Sequence, residues 1–265
     1  MMKFGKIIFP LFKNIIIIIK METLTLSNKS TDFTTLLYPP IRLEPDRNYE
    51  AAFISLQTYN SLPNITEANN KFNYSNDKGA TWTTITLPKG AYEFGEINDA
   101  IQLEMETNDH YDKTNDAYYI DIDYYKPTFK TILSISNENY MVDFGIENSI
   151  GSTLGFTNEK LSHGVHNSPS IIDMEKVNSI LVHCGIVLGS YVNGRGSNVI
   201  HTFSPRVSPG YKVIELASPE LIYLPLVQRP EIESVRLWLT DQDNNLIDLM
   251  EEKVTVTIAI REKRV

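Results

Sequence analysis

The sequence predicts a mainly β protein: a jelly-roll-type antiparallel β-sandwich carrying a small inserted β-α-β-β unit. Three observations point there. Two runs, 180–188 and 212–215, are rich in β-branched residues and are bounded by Gly, Pro and Asn-Gly signals, which punctuate strands rather than helices. Between them lies a long connection, 189–210, with little apolar content, as expected of Greek-key and jelly-roll links between distant strands. Elsewhere the dominant pattern is period-two alternation, with one good helical pattern in the whole chain.

From the start, residues 1–20 (MMKFGKIIFPLFKNIIIIIK) are apolar but broken by Lys3, Lys6, Lys13 and Asn14. No stretch reaches the ~20 apolar residues of a membrane span. No small-residue cleavage site of a signal peptide follows. The segment is read as a disordered or non-native extension, with Met21 as the true start. Residues 22–26 (ETLTL) alternate and open a strand. Residues 33–38 are a second extended piece, expected to stop at Pro39-Pro40, before a turn at Pro45-Asp46. YEAAFISLQTY (49–59) has the length and mixed apolar content of a central strand. An Asn-rich loop follows, in which Phe72 and Tyr74 mark a short strand.

Residues 82–87 (WTTITL) alternate and are turned by Pro88-Lys89-Gly90. Over 93–106, Phe94, Ile97, Ile101 and Met105 recur at helical spacing, opposite Glu96, Asp99, Gln102 and Glu106. YYIDIDYY (118–125) is a strand, 131–136 and 139–144 a hairpin about Asn137-Glu138, and 149–154 a short helical turn ending at Gly155. Residues 80–161 are therefore expected to form the insert, with the sandwich discontinuous over 21–79 and 162–262. Further strands are expected at 199–203, 221–224, 234–240 and 253–260. The last two are read as a hairpin: VRLWLT puts Val235, Leu237 and Leu239 on one face, and KVTVTIAI does so for Val254, Val256, Ile258 and Ile260.

Composition narrows the function. Of the 265 residues, 42% are hydrophobic and 22% charged, with 14 Tyr, which suits a folded globular protein. The net charge of −9 argues against a protein that wraps nucleic-acid phosphates. The basic end, Arg261, Lys263 and Arg264, reads as a solvated terminus. The lone Cys184 sits in an apolar run and reads as a small buried hydrophobe.

Each candidate site has a plainer reading. Asp241, Asp243, Asn245 and Glu252 match part of a calcium-loop template, but Leu246 holds the glycine position and the flanks are strands. An Asx-rich connection is the better account. Asp121 and Asp123 share a strand face, where paired carboxylates serve glycoside hydrolysis, yet alternation with Ile120 and Ile122 makes that face simply solvated. His163 and His166 lack a third metal ligand nearby. The segment 189–195 has the spacing of a phosphate loop without its Lys or Ser/Thr. Asn28, Asn64 and Asn73 open glycosylation sequons, read as chance in an Asn-rich chain. The tyrosines between 111 and 125 have the chemistry to stack sugars, and are expected to pack within the insert. No catalytic residues, cofactor or metal are expected.

Several strings carry a family resemblance, in order from about 21 to 260. They are YPPIRLEPDRNYEAAFISLQTYNSLPNI (38–65), LPKGAYEFGEINDAI (87–101), NSIGSTLGF (148–156), GSYVNG (189–194), FSPRVSPGYKVIELASPELIYLPL (203–226) and VRLWLTDQDNNLID (235–248). The chain resembles the minor capsid, penton-like proteins of Maverick/Polinton elements and adintovirus-like viruses. It departs at Asn244 or Asn245, where a glycine is expected, and at Glu251-Glu252, where Gly-Glu is. The resemblance implies a jelly-roll subunit of the virion, assembling with itself as a homopentamer at capsid vertices, beside a separate major capsid protein. It implies no enzyme activity, no specific nucleic acid and no membrane span. The alternative is a non-catalytic binding module, lectin-like or cytokine-like, that uses its strand-end loops.

Overall fold

The structure is a computed structural model that describes residues 21–263. The expected extension 1–20, its start at Met21, and Arg264 of the basic end lie outside the described residues.

The first three strands are β1 (Met21–Asn28), β2 (Asp32–Arg42) and β3 (Tyr49–Tyr59). The middle of the chain holds β4 (Lys71–Ser75), β5 (Thr83–Thr86), α1 (Phe94–Thr107), β6 (Ile120–Tyr125), β7 (Lys130–Ile135), β8 (Met141–Asp143), β9 (Lys160–Leu161) and β10 (Gly164–Asn167). Then follow β11 (Ile180–Cys184), β12 (Ser190–Val192), β13 (Arg195–Ser197), β14 (Val199–Phe203), β15 (Lys212–Leu216), β16 (Tyr223–Pro225), β17 (Glu231–Thr240) and β18 (Val254–Glu262).

Eight of these strands make a jelly roll. One sheet runs β1-β18-β3-β15, with β16 also on β3; the facing sheet runs β14-β11-β17-β2. The first strand of the roll pairs with the last, the second with the seventh, the third with the sixth and the fourth with the fifth, all antiparallel. That is one long antiparallel ribbon wound up, so that its two apolar inner faces meet. The expected faces are the buried ones: Val235, Leu237 and Leu239 on β17, and Val254, Val256, Ile258 and Ile260 on β18. They join Leu56, Val182 and Cys184 in one core. The outer face of the first sheet is lined with hydroxyls: Thr25 meets Thr257 at 3.2 Å and Ser27 meets Thr255 at 2.8 Å.

The winding corrects two expected hairpins. β17 and β18 lie in opposite sheets, because each has its partner at the other end of the ribbon. The segment between them crosses the sandwich instead of turning back. Likewise β7 pairs with β6 and β10, whereas β8 pairs with β4 and β9. Alternation says which face is buried and is silent about which edge meets which.

Pro39-Pro40 does not end the second strand. β2 runs to Arg42, and its register on β17 shifts between Ile232 and Ser234. β2 is the outermost strand of its sheet, where a proline removes no ladder donor. The 189–210 connection is more structured than expected. Besides the expected strand at 199–203, which is β14, it contains the β12–β13 hairpin. Asn193 (φ 49°) and Gly194 (φ 78°) form its turn, the positive-φ pair that a two-residue hairpin requires.

Between β3 and β11 the chain builds a second core. Ile97, Ile101 and Met105 of α1 bury against Ile120, Ile122, Leu133 and Ile135 of the β6–β7 sheet. The expected helix is therefore real. Its start is capped by Glu96, whose carboxylate accepts from the Glu93 N–H at 2.7 Å. This core also takes in Ile65, Phe72 and Tyr74 before position 80, with Met174 beyond 161 packed on it. Leu62 and Val177, just outside, pack on the sandwich core.

The strand directions place the ends of the roll. The insert leaves from the end where β3 stops and β11 starts, together with the loops 204–211 and 241–253. Ser61 Oγ donates to the Leu249 carbonyl (2.6 Å), Asn60 Nδ2 to that of Val207 (2.6 Å), and Lys89 pairs with Asp248. Met21 pairs across from Arg261 at the opposite end, so both termini of the described chain lie away from the insert.

Candidate functional site

The expected chemistry sites are dispersed. Asp241 Oδ1 accepts from the backbone N–H of Asp243 (2.9 Å) and of Asn245 (2.8 Å), and Oδ2 accepts from Asn245 Nδ2 (3.1 Å). The carboxylate is spent on folding its own loop. Asn244 takes φ 69° there, a conformation Asn tolerates where a glycine was expected. Glu252 lies beyond the turn at Met250 and Glu251. Among the described residues, no group of three or more His, Cys, Asp or Glu is placed to hold a metal ion.

Asp121 and Asp123 point outward from β6. Asp121 Oδ1 accepts from Gln102 Nε2 of α1 (3.2 Å), and Asp123 Oδ1 from the Tyr124 N–H (2.7 Å). His166 donates to the Ser162 carbonyl at 2.7 Å, and His163 is exposed. Asn64 and Asn73 are buried: Asn64 holds both backbone groups of Tyr92, and Asn73 accepts from Thr84. Asn28 is exposed. Tyr111 stacks on Tyr118 at 5.7 Å, and Tyr119 packs tilted against Tyr140 at 4.8 Å, within the insert as expected. Burial pushes the Cys184 thiol up to about 11, which removes it as a nucleophile near neutral pH. Arg261 is tied down by Glu50 at 2.6 Å and lies over the Tyr223 ring, 3.3 Å from its centre.

One cluster was not anticipated from sequence. On the outer face of the second sheet, His183 stacks on Trp238 (4.8 Å, 11°), and the Arg236 guanidinium lies 4.7 Å over the same ring. Arg236 in turn holds Asp32 through two hydrogen bonds, 2.8 and 2.6 Å. Cross-strand pairing of His183 with Trp238 creates the stack, and no one-dimensional pattern encodes it. Trp238 is partly buried, with both His183 and Arg236 packed on its ring.

What remains is surface. The edge strands β1 and β2 form one flank of the sandwich. There Leu36 (80% exposed) and Tyr38 (100%) stand out beside a groove of about 670 Å³ lined by Leu24, Leu37, Tyr38, Pro39, Pro40 and Ile41. The other flank is β14 and β15, tied together by His201 and Glu215 at 2.9 Å. Tyr59, Tyr211, Ile214, Leu216 and Ile222 are exposed along it. Other exposed apolar groups, among them Leu103, Phe129, Val165 and Ile171, lie on the insert.

Charge is divided unevenly. Between 64 and 176 there are 18 carboxylates against 8 Lys and Arg, a net −10, whereas the whole chain is −9. The sandwich portion, 21–63 and 177–263, carries 15 carboxylates against 11 Lys and Arg, a net −4, so it is less acidic than the insert.

Comparison with known proteins gives the following. No protein-family model matches the chain, and no curated protein matches it. Among solved structures, the chain is similar to the mavirus penton protein, at 11% identity and a TM-score of 0.49, covering 92% of this chain and 100% of that one. It is also similar to a chain of a Sputnik virophage structure, at 13% identity and a TM-score of 0.45, covering 92% and 98%. The jelly-roll assignment stands on strand order alone.

Proposed function

We propose that this chain is a structural, non-catalytic subunit of a viral shell: a minor capsid, penton-like protein that assembles with itself at capsid vertices. The observation that carries the reading is a complete eight-strand jelly roll with exposed apolar side chains on both flanks, Leu36 and Tyr38 on one and Ile214 and Leu216 on the other. A subunit with a contact patch on each side adds neighbours by a repeated head-to-tail contact, and a closed ring leaves no patch exposed. The sequence strings that resemble the capsid proteins of Polinton-like elements support the same reading. They extend it to a pentamer seated against a separate major capsid protein, in the virion of such an element or its endogenous copy, assembled within the host cell. The acidic insert stands at one end of the roll and both described termini at the other, a polarity that suits a shell with an outside and an inside.

Mass photometry of the purified chain across concentration tests this. The expected result is one discrete cyclic species, with five chains the preferred count, and particles that retain it with the major capsid protein. A chain that stays monomeric at tens of micromolar overturns the proposal.

A further inference from the structure

The two apolar patches lie on opposite flanks, so the geometry points to which surface meets which. We infer that the β1–β2 flank of one copy docks on the β14–β15 flank of the next, with Leu36 and Tyr38 set against Ile214, Leu216 and Ile222. The inference rests on the shell-subunit reading and adds the partner surface to it.

Two observations argue for a second copy as the occupant. The patches match in height along the roll: Leu36 sits opposite Ser234 midway along β2, and Leu216 sits opposite Ser55 midway along β3. A rotation about an axis parallel to the strands therefore brings them together without sliding. The two flanks also differ: the first holds a groove broken by Pro39-Pro40, while the second is the short strand β15 with Ile214 and Leu216 exposed. Two unlike flanks make a heterologous contact, the kind that closes rings; like-on-like pairing of either one gives a dimer and stops.

The backbone supports the choice. Pro39-Pro40 and the register shift on β17 break the outer edge of β2, so side chains rather than a continued ladder must carry the contact there.

The test uses two full-length variants. One carries Leu36→Glu and Tyr38→Glu, the other Ile214→Glu and Leu216→Glu. All four positions are exposed, and far-UV circular dichroism with thermal melts checks that each variant folds. Should a Glu pair disturb the sheet, the Ser pair at the same positions replaces it. By mass photometry, each variant alone is expected to lose at least tenfold of the assembled species. Mixed one to one, the two are expected to form heterodimers and nothing larger, because each keeps one intact flank. Rings formed by either variant alone overturn the flank assignment while leaving the shell reading in place. So does a mixture with no heterodimer, because the intact flanks then fail to recognise each other. A wild-type chain that never assembles brings down both.

Discussion

At the scale of single residues, the informative group is His183. Burial beneath Trp238 pushes its imidazole down to about 4, from an ordinary 6.5. Between those values the unfolded chain binds a proton that the folded chain does not. Stability therefore rises with pH through the window from about 4 to 6.5, and is lost as pH falls through it. His183→Gln is expected to lessen this dependence, seen as a smaller difference between urea midpoints at pH 4.5 and pH 7 than in the wild type. An unchanged difference shows that His183 stays accessible to protons. Little of this was legible beforehand: His183 sits in an apolar run that does not reveal the tryptophan across the strand. The burial of Cys184 was legible from its place in an apolar run, and burial is what raises its thiol.

At the scale of elements, the insert hangs on close backbone approaches. Gly155 has φ +81°, and a Cβ added there lies 2.4 Å from the Ser170 carbonyl oxygen. Neither the conformation nor the space admits a side chain. Gly155→Ala is expected to cost about 1–3 kcal/mol through backbone strain. The damage belongs to the insert. In hydrogen exchange, protection over 64–176 is expected to fall while β17 and β18 keep theirs; equal loss in both refutes independent cores. Strands and the helix were readable because their apolar spacing is local. The α1 face, the β17 face and the β18 face all emerged where period alone put them. The pairing of β7 and of β18 was not readable, since a strand's period carries no information about its neighbour across a long loop.

At the scale of the whole molecule, two cores on one chain raise the question of autonomy. The second is expected to be a separable unit over 64–176, wider than the 80–161 that composition suggests, because Ile65, Phe72, Tyr74 and Met174 belong to its packing. Replacing 64–176 with a short Gly/Ser linker is expected to leave a cooperatively unfolding β protein, monitored by circular dichroism. A loss of the β signal shows that the roll needs the insert. The insert also carries the molecule's excess negative charge. Inserts crowded on one side of a ring repel one another, and salt screens that repulsion. The assembled fraction is accordingly expected to grow between about 0.05 and 0.5 M NaCl, over which the Debye length shortens from roughly 14 to 4 Å, and a falling fraction points to contacts made by ion pairs instead.

The amino-acid sequence by itself determined the class of fold: β-rich and jelly-roll-like, with one amphipathic helix. It did so because alternation and turn chemistry are properties of neighbours along the chain. Tertiary structure alone decided how the ribbon winds, how far the insert reaches, how His183 and Arg236 pack on Trp238, and that two apolar patches end on opposite flanks. Those depend on contacts between residues more than a hundred positions apart, such as Thr25 with Thr257. Only the closing of those long loops brings such residues together.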